Sequence, residues 1–243
     1  MLKQAVILSA GLGTRLRPLT DKMPKVMIPI AGKPLLEHNI EQFKKYGVSE
    51  FFINLHYLPD VVKNYFGNGS KWGVKINYYI EPEALGTAGG IKNFESQLDN
   101  EFFVIYGDIF SLLDYSKYYE YWKTKPDAIG IQRVGNTDTP QDADLAEVDD
   151  ELRFIKIYPM PHKELPNSPA GGYKRMRGIF ILKKEILEYI PPNAYYEIGS
   201  QLLPDILQRG EKFYGYECDN YSKGINTIEA YRQVQDKLTN GKS

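Results

Sequence analysis

Apolar and polar positions alternate in blocks from the start of the chain. A short apolar run at Gln4–Ser9 (QAVILS) stops at a glycine-rich turn, which predicts a strand buried on both faces. Apolar residues then recur at helical spacing from Pro34 to Tyr46, and Gly47 follows as a stop signal. A buried strand followed by an amphipathic helix is typical of a parallel sheet.

The alternation continues over the first half of the chain. It predicts strands at Phe51–Leu55, Val74–Ile80 and Phe102–Tyr106, and helices at Pro59–Phe66 and Ala88–Leu98. A further strand is predicted at Ala128–Val134, where the alternation weakens. Strand-helix repeats of this length favour right-handed crossovers. The predicted fold class is therefore α/β, with a doubly wound, mostly parallel (Rossmann-like) three-layer sheet and ligands at the carboxyl ends of its strands.

The second half is less regular. Leu145–Tyr158 reads as two strands joined by a turn at Asp149-Asp150, and the proline-rich stretch Pro159–Gly172 reads as a long loop. Beyond it the pattern predicts a strand at Gly178–Leu182 and helices at Leu202–Arg209 and Thr227–Lys237. We expect a single domain over 1–243 in which this half forms a small second lobe.

The composition of the chain limits the kinds of binding partner that we expect. The 30 basic and 31 acidic side chains nearly cancel, so we expect neither nucleic acid nor a membrane surface as a partner. No apolar run approaches the length of a membrane span, and the one cysteine, Cys218, excludes an internal disulfide. These features favour a cytoplasmic protein and leave its oligomeric state open, a homo-oligomer included.

The turn after the first strand carries the strongest chemical signal. Gly11 and Gly13 let backbone N–H groups approach an anion closely, while Arg15 and Lys25 add full positive charge. The spacing matches neither a P-loop nor a dinucleotide-binding loop. We therefore predict a phosphate-binding loop of another kind.

From Gly11 to Lys25 the chain reads G-x-G-T-R-L-x-P-x-T and then P-K, which resembles the sugar-1-phosphate nucleotidyltransferase family. Further matches lie at 32–35, 85–90 and 107–108. The resemblance implies transfer of a nucleoside monophosphate from a nucleoside triphosphate to a sugar 1-phosphate, with Mg²⁺ as cofactor. It also implies that 1–134 binds the nucleotide and 135–243 the sugar phosphate.

The resemblance assigns roles to individual residues. Arg15 would hold the triphosphate, Lys25 would stabilise charge at the α-phosphorus and Asp108 would bind magnesium. The usual late metal aspartate is replaced by Gly224, so Asn226 becomes the second metal ligand, with Asp219 as the alternative. The nucleotide-binding residues implied by the match are Leu8, Ala10, Gly11, Leu12, Gly13, Thr14, Glu81, Gly86 and Thr87.

Glu81 bears on the choice of base. Relatives that use UTP or dTTP resemble one another in having Gln at this position, whereas a carboxylate only accepts hydrogen bonds. It therefore suits the N–H groups of guanine or cytosine and disfavours uracil. The run at 81–89, Glu-Pro-Glu-x-Leu-Gly-Thr-Ala-Gly, also resembles mannose- and heptose-1-phosphate guanylyltransferases. Both features favour GTP with an acceptor of that type, while UTP or dTTP with a glucose-type acceptor remains the alternative.

The acceptor side departs from the family pattern. Ile157-Tyr158-Pro159 stands where a Glu-Lys pair is usual, and Met176-Arg177-Gly178 replaces an Asn-x-Gly. Because a phosphate dianion needs cations, Lys156, Lys174, Arg175 and Arg177 are candidates to bind it. The substrate-binding residues we select are Tyr106, Glu197, Lys174 and Arg177.

Two other functions stay open. The missing Glu-Lys pair and the altered metal motif allow a non-catalytic sensor of nucleotide sugars. The first half fixes only the nucleotide, so a transferase acting on a non-sugar phosphate, such as an amino-alcohol phosphate, is also compatible with the sequence.

Overall fold

The computed structural model describes residues 1–162 and 172–240. Its strands are β1 Gln4–Leu8, β2 Pro29–Ile30, β3 Lys33–Pro34, β4 Glu50–Leu55, β5 Lys75–Ile80, β6 Glu101–Tyr106, β7 Ile109–Ser111, β8 Gly130–Gly135, β9 Leu145–Val148, β10 Phe154–Tyr158, β11 Tyr173–Lys183, β12 Phe213–Glu217 and β13 Ser222–Gly224. Its α-helices are α1 Leu35–Lys45, α2 Pro59–Phe66, α3 Gly86–Lys92, α4 Tyr115–Lys123, α5 Leu203–Gln208 and α6 Ile228–Asn240.

The chain divides into two compact units. The first combines Met1–Ala84, Ile105–Ser116 and the chain from Asn220 onwards, and the second combines Leu85–Val104 with the described part of Lys117–Asp219. Both units are therefore discontinuous in sequence.

A parallel sheet organises the first unit. β1 pairs with β4 and β4 with β5, both in parallel, as expected of strands joined by helical crossovers. All five residues of β1 are buried, which explains its uninterrupted apolar sequence. β13 lies antiparallel to β7, so the late segment around Gly224 lies beside Ile109.

Helix α6 packs within the same unit. Its Val234 joins Leu16 and Ile225 in one apolar cluster, and the Gln235 carboxamide accepts a hydrogen bond from Ala31 N–H at 2.9 Å. The turn that follows β1 is thereby packed against the end of the chain, although the two are far apart in sequence.

The second unit contains a mixed sheet. β11 lies antiparallel to both β8 and β9, β9 pairs antiparallel with β10, and β12 joins β8 in parallel. α4 covers this sheet through Tyr118, which is fully buried and whose hydroxyl contacts the carbonyl oxygens of Ile131 and Ile179. Tyr118 is thus a core residue of this unit.

The predicted α/β class with a largely parallel central sheet is confirmed. Several boundaries were wrong. The helix predicted over Ala88–Leu98 begins at Gly86 and ends at Lys92, and the strand predicted over Gly178–Leu182 extends back to Tyr173. The helix predicted from Leu202 begins with a π-helical turn, Ile198–Leu202.

Most of the predicted loop Pro159–Gly172 lies outside the described residues. None of the helices that the structure describes is long and apolar enough to cross a membrane.

Candidate active site

The turn after β1 presents an open loop. Gly11 and Thr14 are exposed, and a β-carbon on Gly11 would meet no atom within 4 Å. Gly13 has a φ of 65° in the left-handed region, and its carbonyl oxygen accepts a hydrogen bond from the Thr20 hydroxyl at 2.9 Å. The loop is therefore fixed at its base and accessible at its surface, as an anion-binding loop requires.

A lysine links two predicted metal ligands. Lys25 Nζ lies 2.6 Å from Asp108 Oδ2 and 2.7 Å from Asn226 Oδ1. The Lys25 side chain is 12% exposed and that of Asp108 is 25% exposed, so solvent screens this ion pair only partly. Arg15 donates to the same Asn226 oxygen at 3.3 Å. Four residues from three distant parts of the sequence thus meet at one point.

Close backbone contacts position this cluster. Gly107 N–H donates to the Leu8 carbonyl oxygen at 2.8 Å, and Ile225 N–H donates to the Asp108 carbonyl oxygen at the same distance. A β-carbon on Gly107 would lie 2.7 Å from the Leu8 oxygen, so glycine is needed there. A β-carbon on Gly224 would lie 3.2 Å from Asn226 Nδ2. The Asn226 side chain therefore occupies the space beside the position where the family pattern has aspartate.

These oxygens suit a hard cation. Asp108 Oδ2 and Asn226 Oδ1 converge on one positively charged atom, and carboxylate and amide oxygens are ligands that Mg²⁺ prefers. Two protein ligands are sufficient, because Mg²⁺ usually keeps waters and binds substrate phosphates. Over the described ranges, no group of three or more His, Cys, Asp or Glu side chains is placed to hold a metal.

Glu81 is buried rather than open to solvent. It is 1% exposed, and its Oε1 accepts a hydrogen bond from Asn54 Nδ2 at 2.8 Å. Asn54 Oδ1 in turn accepts from the Ser9 N–H at 2.7 Å. This network joins the ends of β1, β4 and β5.

The motif at Gly86-Thr87 lies in the second unit, at the start of α3. The Thr87 hydroxyl and N–H both donate to Glu197 Oε2, at 2.5 and 3.2 Å, and Tyr195 OH donates to Glu197 Oε1 at 2.6 Å. The hydrogen bond to Glu197 raises the pKa of Tyr195 to about 12. Glu197 is thus tied to the loop that was predicted to bind nucleotide.

The two predicted phosphate-binding cations differ in their surroundings. Lys174 Nζ contacts both carboxylate oxygens of Glu217, at 3.0 and 2.8 Å, and its charge is already compensated. Arg177 has no acidic partner among the residues the structure describes. Burial, together with the neighbouring Arg133 and Arg175, lowers the pKa of Arg177.

The sequence interpretation missed Asn54 and Arg133. Asn54 is a polar residue near the carboxyl end of an apolar strand, and that position was the available signal for a role at the ligand-binding edge. Arg133 is 4% exposed and contacts Cys218 through its guanidinium. Nothing in the local pattern of β8 separates it from an ordinary surface arginine.

Tyr106, which the sequence analysis selected as a substrate-binding residue, is the last residue of β6 and is half-buried.

The α/β fold and this cluster can be compared with those of known families. The chain matches the family described as nucleotidyl transferase over residues 4–241, and it belongs to that family.

Individual relatives differ in substrate. The chain is 30% identical over 247 residues to the UTP–glucose-1-phosphate uridylyltransferase of Synechocystis, covering 95% of this chain and 62% of that protein. Over 114 residues it is 45% identical to the D-glycero-α-D-manno-heptose 1-phosphate guanylyltransferase of Campylobacter jejuni, covering 47% of this chain and 51% of that protein. The chain spans about half to two thirds of the length of the curated relatives it matches.

Among solved structures, HddC from Yersinia pseudotuberculosis complexed with GMP-PN is similar, with a TM-score of 0.77 and 26% identity. The match covers 98% of this chain and all of that one.

Proposed function

We propose that this protein transfers a nucleoside monophosphate from a nucleoside triphosphate to a sugar 1-phosphate and releases pyrophosphate. The observation that carries the proposal is the Lys25 ammonium, held between Asp108 and Asn226 beside the open glycine loop and Arg15. Fixed cations beside a phosphate-binding loop match a reaction in which negative charge develops on departing pyrophosphate.

The chain's own residues perform most of this chemistry. Arg15 and the N–H groups of the glycine loop bind the triphosphate, and Lys25 neutralises charge at the α-phosphorus as the sugar phosphate attacks in line. No covalent nucleophile is required. Asp108 and Asn226 would hold Mg²⁺, which when bound neutralises phosphate charge and orients the phosphates.

GTP is the proposed nucleotide, and a mannose- or heptose-type 1-phosphate the proposed acceptor. Glu81 is the sequence feature that favours guanine, because a carboxylate accepts hydrogen bonds and guanine offers N–H donors on its edge. In this structure that carboxylate is 1% exposed and bonded to Asn54. The guanylyltransferase of Campylobacter jejuni and HddC complexed with GMP-PN add support from relatives. The Synechocystis relative favours the alternative, UTP with glucose 1-phosphate. A cytoplasmic location stays a prediction.

The test is pyrophosphate release with GTP, UTP, dTTP, CTP and ATP against a panel of sugar 1-phosphates and amino-alcohol phosphates, with Mg²⁺. Asp108→Asn should abolish turnover, while Asp150→Asn, an equal charge change in an exposed turn, should leave it unchanged. Turnover with one substrate pair supports the proposal. Nucleotide binding with no turnover across the panel would favour the sensor instead.

A further inference from the structure

In the second unit, the Asp144 carboxylate has one oxygen engaged and one open. Asp144 Oδ1 accepts a hydrogen bond from Met160 N–H at 2.8 Å. Oδ2 faces Gly199, where a β-carbon would lie only 3.2 Å away. Among the described residues no side chain or backbone N–H donates to Oδ2, and Asp144 is half-buried. A half-buried carboxylate oxygen of this kind takes a donor from solvent or from a ligand.

The position of Gly199 connects Asp144 with the predicted acceptor residues. Gly199 lies two residues after Glu197, in the π-helical turn Ile198–Leu202. Both Glu197 oxygens already accept hydrogen bonds from this chain, from Tyr195 and Thr87. Asp144 Oδ2, in contrast, accepts no hydrogen bond from the described residues.

Hydrogen bonds hold the backbone at Asp144 and at the residue before it. The Asp144 carbonyl oxygen accepts from Met176 N–H at 2.9 Å, and the Met176 methyl group lies 4.0 Å from the β-carbon position of Gly199. On the other side, the His162 ring contacts the Ala143 carbonyl oxygen at 2.8 Å. A carboxylate held at its backbone and at one of its oxygens is positioned to present the other oxygen to a ligand.

We propose that Asp144 determines acceptor specificity by accepting a hydrogen bond from a hydroxyl of the sugar phosphate. The inference rests on the proposed function and adds the residue that recognises the acceptor. One open oxygen beside a glycine matches a single hydroxyl. An ammonium group would instead call for aromatic faces or further carboxylates around it.

The decisive variant is Asp144→Asn. Asparagine keeps an oxygen for Met160 N–H but replaces the open oxygen by an NH₂ donor. The KM for the acceptor should rise about tenfold or more, as for loss of a hydrogen bond to a charged group. The KM for GTP and the melting temperature should stay as in wild type. Asp142→Asn, the same charge change on the exposed part of this loop, is the matched control.

Deoxy analogues of the accepted sugar 1-phosphate then identify the contact. With one deoxy analogue, the acceptor KM of wild type should rise by the same factor by which Asp144→Asn raises the KM for the intact sugar 1-phosphate. The KM of the variant should not rise further with that analogue. Equal acceptor KM values for Asp144→Asn and Asp142→Asn would overturn the proposal, and so would a loss matched by better use of an amino-alcohol phosphate. Failure of the proposed function is distinguishable, because wild type itself would then release no pyrophosphate.

Discussion

At the scale of single residues, Lys25 has the largest expected effect on turnover. Lys25→Met keeps the length of the side chain but removes the charge between Asp108 and Asn226. We expect kcat to fall about 100-fold or more, as when one transition-state donor is removed from an active site. Pyrophosphate release measures it, with the exposed Lys22→Met as control. Equal turnover in both variants would contradict a role for Lys25.

Two glycines should respond differently to the same substitution. A β-carbon on Gly107 would lie within 2.8 Å of Leu8 O, Ser9 Oγ and Val26, whereas one on Gly11 would meet nothing within 4 Å. Gly107→Ala should lower the free energy of unfolding by about 1–3 kcal/mol through overpacking. Gly11→Ala should leave it unchanged and weaken nucleotide binding, because the new methyl group would take up open space at the loop that we propose binds the phosphates. Urea unfolding and nucleotide titration separate the two effects, and equal destabilisation would refute the steric argument.

At this scale the sequence predicted which residues lie together better than it predicted which are buried. It selected Arg15, Lys25, Asp108 and Asn226, and the structure brings those four together because their motifs flank strand ends. It did not foresee that the Glu81 carboxylate is covered, since a strand-end acid looks the same in sequence whether or not a partner such as Asn54 faces it.

At the scale of elements, Glu50 connects three strands. Its carboxylate accepts hydrogen bonds from Gln4 on β1 and from Lys75 and Asn77 on β5. Burial alone would raise the pKa of Glu50, but hydrogen bonds from Lys75, Gln4 and Asn77 outweigh it and lower the pKa. The ionised form is therefore the one that stabilises the fold.

Glu50→Gln should consequently destabilise the protein in a pH-dependent way. A lowered folded-state pKa adds stability that is present above the unfolded value of about 4.3 and is lost as the pH falls through the folded value. At pH 7 the variant should unfold with about 1 kcal/mol less free energy than wild type, and the difference should shrink below about pH 4. Unfolding in urea at several pH values measures it. The exposed Glu188→Gln serves as control, and a difference independent of pH would contradict the linkage.

Helices with clear boundary residues were predictable from the sequence, whereas a helix with an unclear apolar pattern was not. Helix α2 has the predicted bounds, Pro59–Phe66, because proline fixes its first turn and Gly67 ends it. The last helix was predicted to begin at Thr227, and the structure places Thr227 directly before α6, where its hydroxyl accepts a hydrogen bond from Ala230 N–H. Helix α4 was not predicted. Its buried residues Tyr115, Tyr118 and Trp122 have helical spacing, but five of its nine residues are aromatic, so the apolar positions do not stand out from the rest.

At the scale of the whole molecule, the two compact units of the structure do not coincide with the sequence halves 1–134 and 135–243. The chain from Asn220 onwards belongs to the first unit, together with Met1–Ala84 and Ile105–Ser116. Sequence order gives no sign of this, because the pairing of β13 with β7 is a long-range contact. Which substrate each half binds stays a prediction.

Nucleotide binding should therefore stabilise the first unit as a whole. Arg15, Lys25, Asp108 and Asn226 come from all three of its segments, so a ligand held by them favours the folded state of each. At 100 times its dissociation constant a nucleotide adds about 2.7 kcal/mol to the free energy of unfolding.

With Mg²⁺ we expect GTP to raise the melting temperature more than UTP at equal concentration. Glu81→Gln should narrow that gap, because a carboxamide both donates and accepts, whereas Glu83→Gln, at an exposed position two residues on, should not. Equal shifts by both nucleotides in wild type would refute the choice of GTP and leave family membership untouched.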